Sequence, residues 1–93
     1  MNIGKRTFEE KFTNQHGRCY YCGEDLYSSK IEVDHIRPFS KYKDGRTVNL
    51  CLACYDCNRL KSDLDMIEFK LLVLRSYPYK LIRGFFYFEF IRL

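Results

Sequence analysis

The chain has 93 residues, 46% hydrophobic and 30% charged, with a net charge of +4 from 16 basic and 12 acidic side chains. That profile describes one globular domain and excludes a disordered or low-complexity chain; no apolar run approaches the ~20 residues of a membrane helix. At this length a hydrophobic core alone gives marginal stability, so a metal or another staple is expected.

The opening Met1-Asn2-Ile3-Gly4-Lys5-Arg6 lacks the apolar stretch of a secretory signal, which points to a reducing, cytoplasmic setting where thiols bind metal and do not pair. Thr7-Phe8-Glu9-Glu10 reads as a capping box and predicts a helix over about 8–16, ended by Gly17. Phe8 and Phe12 stand one turn apart and should lean that helix on the segment that follows. His16, at its end, is assigned no role.

Cys19-Tyr20-Tyr21-Cys22 comes next, with Gly23 where a tight knuckle needs a positive φ. A second pair, Cys54-Tyr55-Asp56-Cys57, lies 35 residues on, and two such pairs can hold one tetrahedral zinc through four thiolates. The fifth cysteine, Cys51, makes Cys51-x-x-Cys54 a competing knuckle. An odd count fits four ligands and one spare better than a disulfide framework.

Between the knuckles, Ile31, Val33 and Ile36 predict a strand over 30–36 that Pro38 ends. Phe39 to Thr47 reads as a polar loop with a turn at Asp44-Gly45, and Val48 to Leu52 as the antiparallel return strand. A helix should begin near the second knuckle. Leu60, Leu64, Ile67, Leu71 and Leu74 form a stripe along it, and Pro78 closes it. The aromatic tail, residues 84–93, could pack on the core or form a subunit contact; its pattern separates neither helix from strand.

Asp34-His35-Ile36-Arg37-Pro38, then Asn49-Leu50-Cys51-Leu52-Ala53-Cys54, then Cys57-Asn58-Arg59-Leu60-Lys61 resembles the HNH endonucleases. The likeness covers about residues 19–62 and implies a small zinc-stabilised ββα-metal domain of the α+β class with flanking helices, occupying 1–93 as a single unit. The last H of the family name is Asn58 here, as in an Asn-ending subgroup whose Asn oxygen is a metal ligand. The resemblance also favours the Cys54/Cys57 register, because Asn58 and Lys61 follow in step. Cys51 is then a small core residue.

Phosphodiester hydrolysis needs an activated water, charge stabilisation on the phosphate, and help for the leaving oxygen. Asp34 and Asn58 offer two oxygen donors to a divalent ion, which points to magnesium or manganese. Histidine is the side chain whose neutral form can take a proton from water near neutral pH, which makes His35 the candidate general base. Asn49, by resemblance, holds the two strands and the His35 loop without being a ligand. Adjacent side chains on a regular strand point to opposite faces, so the reading predicts an irregular bend at 34–36.

Residues 30–61 hold seven basic side chains against four acidic ones, around this site. Arg37, Lys41, Lys43, Arg46, Arg59 and Lys61 are candidate phosphate contacts, Arg37 and Lys61 foremost, and DNA is the implied partner. The charge does not establish this alone, since four thiolates and one zinc would lower the net by about two units. Two other readings remain open: a non-catalytic zinc module that binds nucleic acid, and a zinc-stabilised interaction domain using the aromatic tail. Neither a homodimer nor a targeting partner is decided by the sequence.

Overall fold

A computed structural model describes residues 3–26 and 30–82. The aromatic tail lies outside the described residues. Helix α1 spans Lys5–Asn14, the first knuckle follows, and strand β1 spans Ile31–His35. A short helix α2 (Phe39–Tyr42) and a 3-10 turn (Thr47–Asn49) lead into strand β2 (Leu50–Cys54). Helices α3 (Tyr55–Lys61), α4 (Met66–Ser76) and α5 (Pro78–Ile82) complete the fold.

The strands pair antiparallel in a two-stranded sheet, with Ile31 opposite Cys54, Asp34 opposite Cys51 and His35 opposite Leu50. All five residues of β2 are buried, while β1 is half-buried along its length. The return strand thus lies two residues later than its sequence suggests, because Val48 turns outward, 68% exposed, in the 3-10 turn.

The core forms where β2, the first knuckle and α4 meet. Tyr21 and Phe69, both without exposure, pack edge to face at 5.4 Å. Truncating Phe69 to Ala would cost about 3–5 kcal/mol. Phe8 and Phe12, stacked at 6.2 Å, pack against this core with Ile3.

Helix α1 starts three residues before the expected 8, capped by the extended backbone of Gly4 and not by Thr7. Thr7 lies inside the helix, since packing of Ile3, Phe8 and Phe12 outweighs a side-chain cap. Its end is a Schellman turn: His16 N donates to Thr13 O and Gly17 N to Phe12 O, with both residues at positive φ. The capping box belongs instead to α4, where Asp65 Oδ1 accepts from Glu68 N at 3.0 Å and Glu68 Oε1 accepts from Asp65 N at 3.1 Å.

The single striped helix is corrected to two. Ser62, at φ 49°, breaks the chain after α3, and the capping box re-phases α4. Phe69 and Val73 become its buried face, while Ile67, Leu71 and Leu74 are 72%, 51% and 57% exposed. Pro78 does not simply close the helix; it starts α5, a position where its missing N–H costs nothing. The loop expected over 39–47 carries α2, which Pro38 begins and Lys43 ends in left-handed conformation.

Candidate functional site

The first knuckle is a tight hairpin. Cys19 N donates to Glu24 O, Gly23 N to Cys19 O, and Gly23 has φ 75°, as its position requires. Tyr20 N donates to Leu52 O at 3.0 Å, tying the knuckle to β2. Gln15, buried at the end of α1, makes a second tie: Nε2 donates to Leu52 O and Oε1 accepts from Leu52 N.

These ties bring Cys19 and Cys22 to Cys54 and Cys57. The four Sγ atoms lie within 4.8 Å of one another, and Cys22 and Cys54 are 3.9 Å apart. A zinc tetrahedron with Zn–S bonds of about 2.3 Å has S–S edges of about 3.8 Å, so the spacing and the all-thiolate donor set fit zinc. Backbone N–H groups already point at the sulfurs: Cys54 N at Cys19 Sγ, Cys57 N at Cys54 Sγ and Glu24 N at Cys22 Sγ. Hydrogen bonds from its three neighbours pull the Cys19 thiol far below its usual range, while the same crowding pushes Cys22 and Cys57 up. Four sulfurs this close could hold one metal ion between them.

Cys51 stands outside the cluster. Its Sγ lies 3.5 Å from Tyr21 Oη, and burial pushes its thiol pKa well up. The competing Cys51/Cys54 knuckle is therefore not the one formed.

Helix α3 begins at the second knuckle, with the Cys54 Sγ serving as its N-cap acceptor. The helix lies along β1, so residues 58 and 61, one turn apart, meet residues 32 and 34, two apart on one strand face. Asn58 Nδ2 donates to Glu32 Oε2, and Arg59 lies 3.7 Å from Glu32 Oε1. Lys61 lies 3.5 Å from Asp34 Oδ2, which also accepts from Tyr21 Oη at 2.6 Å. Burial and the Asp34 and Cys51 neighbours raise the Tyr21 pKa well above the ordinary phenol value, so its hydroxyl stays a donor.

Lys61 differs from expectation. It has no exposure, and its ammonium donates to His35 O at 2.9 Å. A side chain held there is a structural cation under the site, not a surface contact for phosphate.

Strand β1 stays regular through His35, and the chain bends at Ile36–Arg37. The expected bend at 34–36 is not found: the strand is straight through His35 and the bend lies at 36–37. Asp34 and His35 therefore point to opposite faces, the outcome that counts against both reaching one ion-bound phosphate. Asp34 faces α3, while the His35 ring lies 5.3 Å from Phe39 of α2. The carboxylate and imidazole leave the strand in different directions, at the end where it stops pairing. Asn49, 4% exposed, fixes that end. Its Oδ1 accepts from Arg37 N, its Nδ2 donates to Arg37 O and Asp44 O, and its backbone O accepts from Ile36 N.

The remaining basic candidates are exposed. Arg37 stacks on Tyr42 at 4.1 Å and Lys43 lies over Phe39. Lys41 pairs with Glu68, Arg46 with Asp44, and Arg59 with Glu32 and the Tyr55 ring. Pairs whose cation is exposed in this way are weak.

Two residues escaped the sequence reading. Glu32 could have been found, because it shares the strand face of Asp34 at the period of two. Tyr21 carries no local signal. Among the described residues, no helix is long and apolar enough to cross a membrane. No curated protein matches the chain. The family model described as HNH endonuclease matches residues 19–64, a span that holds all four clustered cysteines.

Proposed function

Residues 19–64 form a domain of the HNH endonuclease family, and on that premise we propose that the chain is a metal-dependent DNA endonuclease. Zinc in the Cys19/Cys22/Cys54/Cys57 cluster ties the first knuckle to the end of β2 and the start of α3, and the reaction is hydrolysis of a phosphodiester bond. The observation that carries the reading is the placement of Asp34 and His35 at the last paired positions of β1, with α3 and Asn58 packed alongside. Asp34 and Asn58 are the residues that would hold a magnesium-class ion. The contacts of Asp34 fall on Oδ2 and those of Asn58 on Nδ2, which leaves Asp34 Oδ1 and Asn58 Oδ1 as an all-oxygen donor set. Bound there, the ion supplies charge stabilisation on the phosphate and on the leaving oxygen.

His35, as a neutral imidazole, takes a proton from the attacking water. Water oxygen bonds to phosphorus, the bond to the 3′ oxygen breaks, and that oxygen gains a proton, leaving 5′-phosphate and 3′-hydroxyl ends. Asn49 clamps Arg37 from both sides and so sets where the chain leaves the strand after His35. Lys61 holds the His35 carbonyl from below. Arg37, Lys43, Lys41, Arg46 and Arg59 supply exposed positive charge for the DNA backbone.

The regular pairing of β1 through His35 favours one alternative, a zinc module that binds nucleic acid without cutting it. Incubation of zinc-loaded protein with supercoiled plasmid, with magnesium, manganese or chelator, separates the two. Nicking that depends on the added metal and falls about 10²–10⁴-fold in His35→Ala is the expected result. Intact plasmid with either metal, with DNA still bound, supports the alternative.

A further inference from the structure

We propose that Glu32 is a positioning residue that turns the Asn58 side-chain oxygen toward the catalytic ion; this rests on the nuclease reading above. Asn58 is useful as an ion ligand only through Oδ1, since its amide nitrogen has no lone pair to give. An asparagine amide can flip, and the two orientations differ little in shape. Here one neighbour removes the choice. An ionised carboxylate only accepts hydrogen bonds, so Glu32 Oε2 must face Nδ2 of Asn58, as it does. Oδ1 is then the atom directed away from Glu32.

Glu32 is itself held. It is half-buried on β1, its side chain 19% exposed, and Arg59 sits 3.7 Å from its other oxygen. Glu32 and Asp34 lie on one face of the strand, and Asn58 and Arg59 follow each other on α3. The ladder that places Asp34 therefore places the residue that orients Asn58. Partners that orient ligands in this way typically change metal affinity by about 10–100-fold when removed.

The experiment is a titration of zinc-loaded protein with manganese, read by the loss of free-ion paramagnetic resonance signal, in parallel with plasmid nicking. Glu32→Ala is expected to weaken manganese binding about 10-fold or more, with zinc content and thermal unfolding close to the parent. Glu32→Gln loses the charge and can donate as well as accept, so its hold on Nδ2 is partial and it is expected to bind between the parent and Glu32→Ala. Glu32→Ala combined with Asn58→Asp leaves the site charge unchanged and replaces the amide by a carboxylate that offers oxygen in either orientation. This double variant is expected to recover binding to within about threefold.

A parental affinity in Glu32→Ala overturns the proposal. So does Glu32→Gln binding as weakly as Glu32→Ala, which would assign Glu32 a charge or ligand role, and so does a double variant that fails to recover. Asn58→Ala tests the underlying reading separately: unchanged manganese binding there removes Asn58 as a ligand, whatever Glu32 does.

Discussion

The Lys61 ammonium lies 3.5 Å from the Asp34 carboxylate, on a side chain with no solvent exposure. The same ammonium holds the His35 carbonyl at 2.9 Å. One cation thus ties the C-terminal turn of α3 to both residues at the end of β1. A pair this buried gains little over a well-packed apolar pair, but removing one partner strands the other.

Lys61→Met is therefore expected to lower the unfolding free energy by about 3 kcal/mol, measured by urea titration at neutral pH with zinc bound. Asp34→Asn combined with it should cost less than the two single changes added together, as partners in one buried pair do. Strict additivity would show that the two side chains do not share an interaction.

Zinc removal should unfold the domain, because structural zinc sites contribute about 10–16 kcal/mol of apparent free energy and a core this small has little in reserve. Native mass spectrometry is expected to find one zinc per chain in Cys51→Ser and none in Cys54→Ser. Zinc retained by Cys54→Ser would exclude that sulfur from the cluster.

Asn49→Ala leaves Arg37 N, Arg37 O and Asp44 O without their partner. A loss of about 2–3 kcal/mol is expected by thermal or urea unfolding. Nicking should fall by about 10²-fold, since the turn that follows His35 loses its clamp. Undiminished nicking would mean that the turn at 36–37 holds without the clamp or that its position does not matter to the chemistry.

Alkaline pH should destabilise the fold through Tyr21 and Cys51. Both are raised above their ordinary values of 10.0 and 9.0, chiefly by burial. Above those values the unfolded chain gives up the two protons while the folded chain keeps them. Their contribution is therefore full below about pH 9 and is lost as pH rises toward the folded values. Thermal unfolding of the zinc-loaded protein from roughly pH 8 to 11 should show this decline. Tyr21→Phe should begin at a lower melting temperature, because Asp34 loses its 2.6 Å donor. It should then fall less steeply above pH 10.0, the ordinary value of the group it lacks. Parallel slopes in the two proteins would remove Tyr21 from the transition.

The four-cysteine cluster was legible because its chemistry is local: two sulfurs three residues apart can make a knuckle, although Cys51 and Cys54 share that spacing and only the resemblance chose Cys54 and Cys57 between them. β1 was legible for a similar reason, from its alternating β-branched residues. The leucine stripe misled because it assumed one uninterrupted helix, and a break at Ser62 shifts the phase of everything after it. The capping box misled at Thr7 because the same four-residue pattern occurs where packing sets the helix start elsewhere.

By itself, then, the sequence determined the two cysteine pairs and the order strand, strand, helix, and offered Asp34, His35, Asn49 and Asn58 as a candidate set. Tertiary structure alone decided what those residues face. Gln15 meets Leu52 across 37 positions, Lys61 meets His35 across 26, and Asn58 meets Glu32 across 26. None of these contacts leaves a trace in local pattern, because a buried lysine and an exposed one read alike in a sequence. They differ only once the fold has brought α3 against β1, where a charge without water must find a carboxylate or a carbonyl.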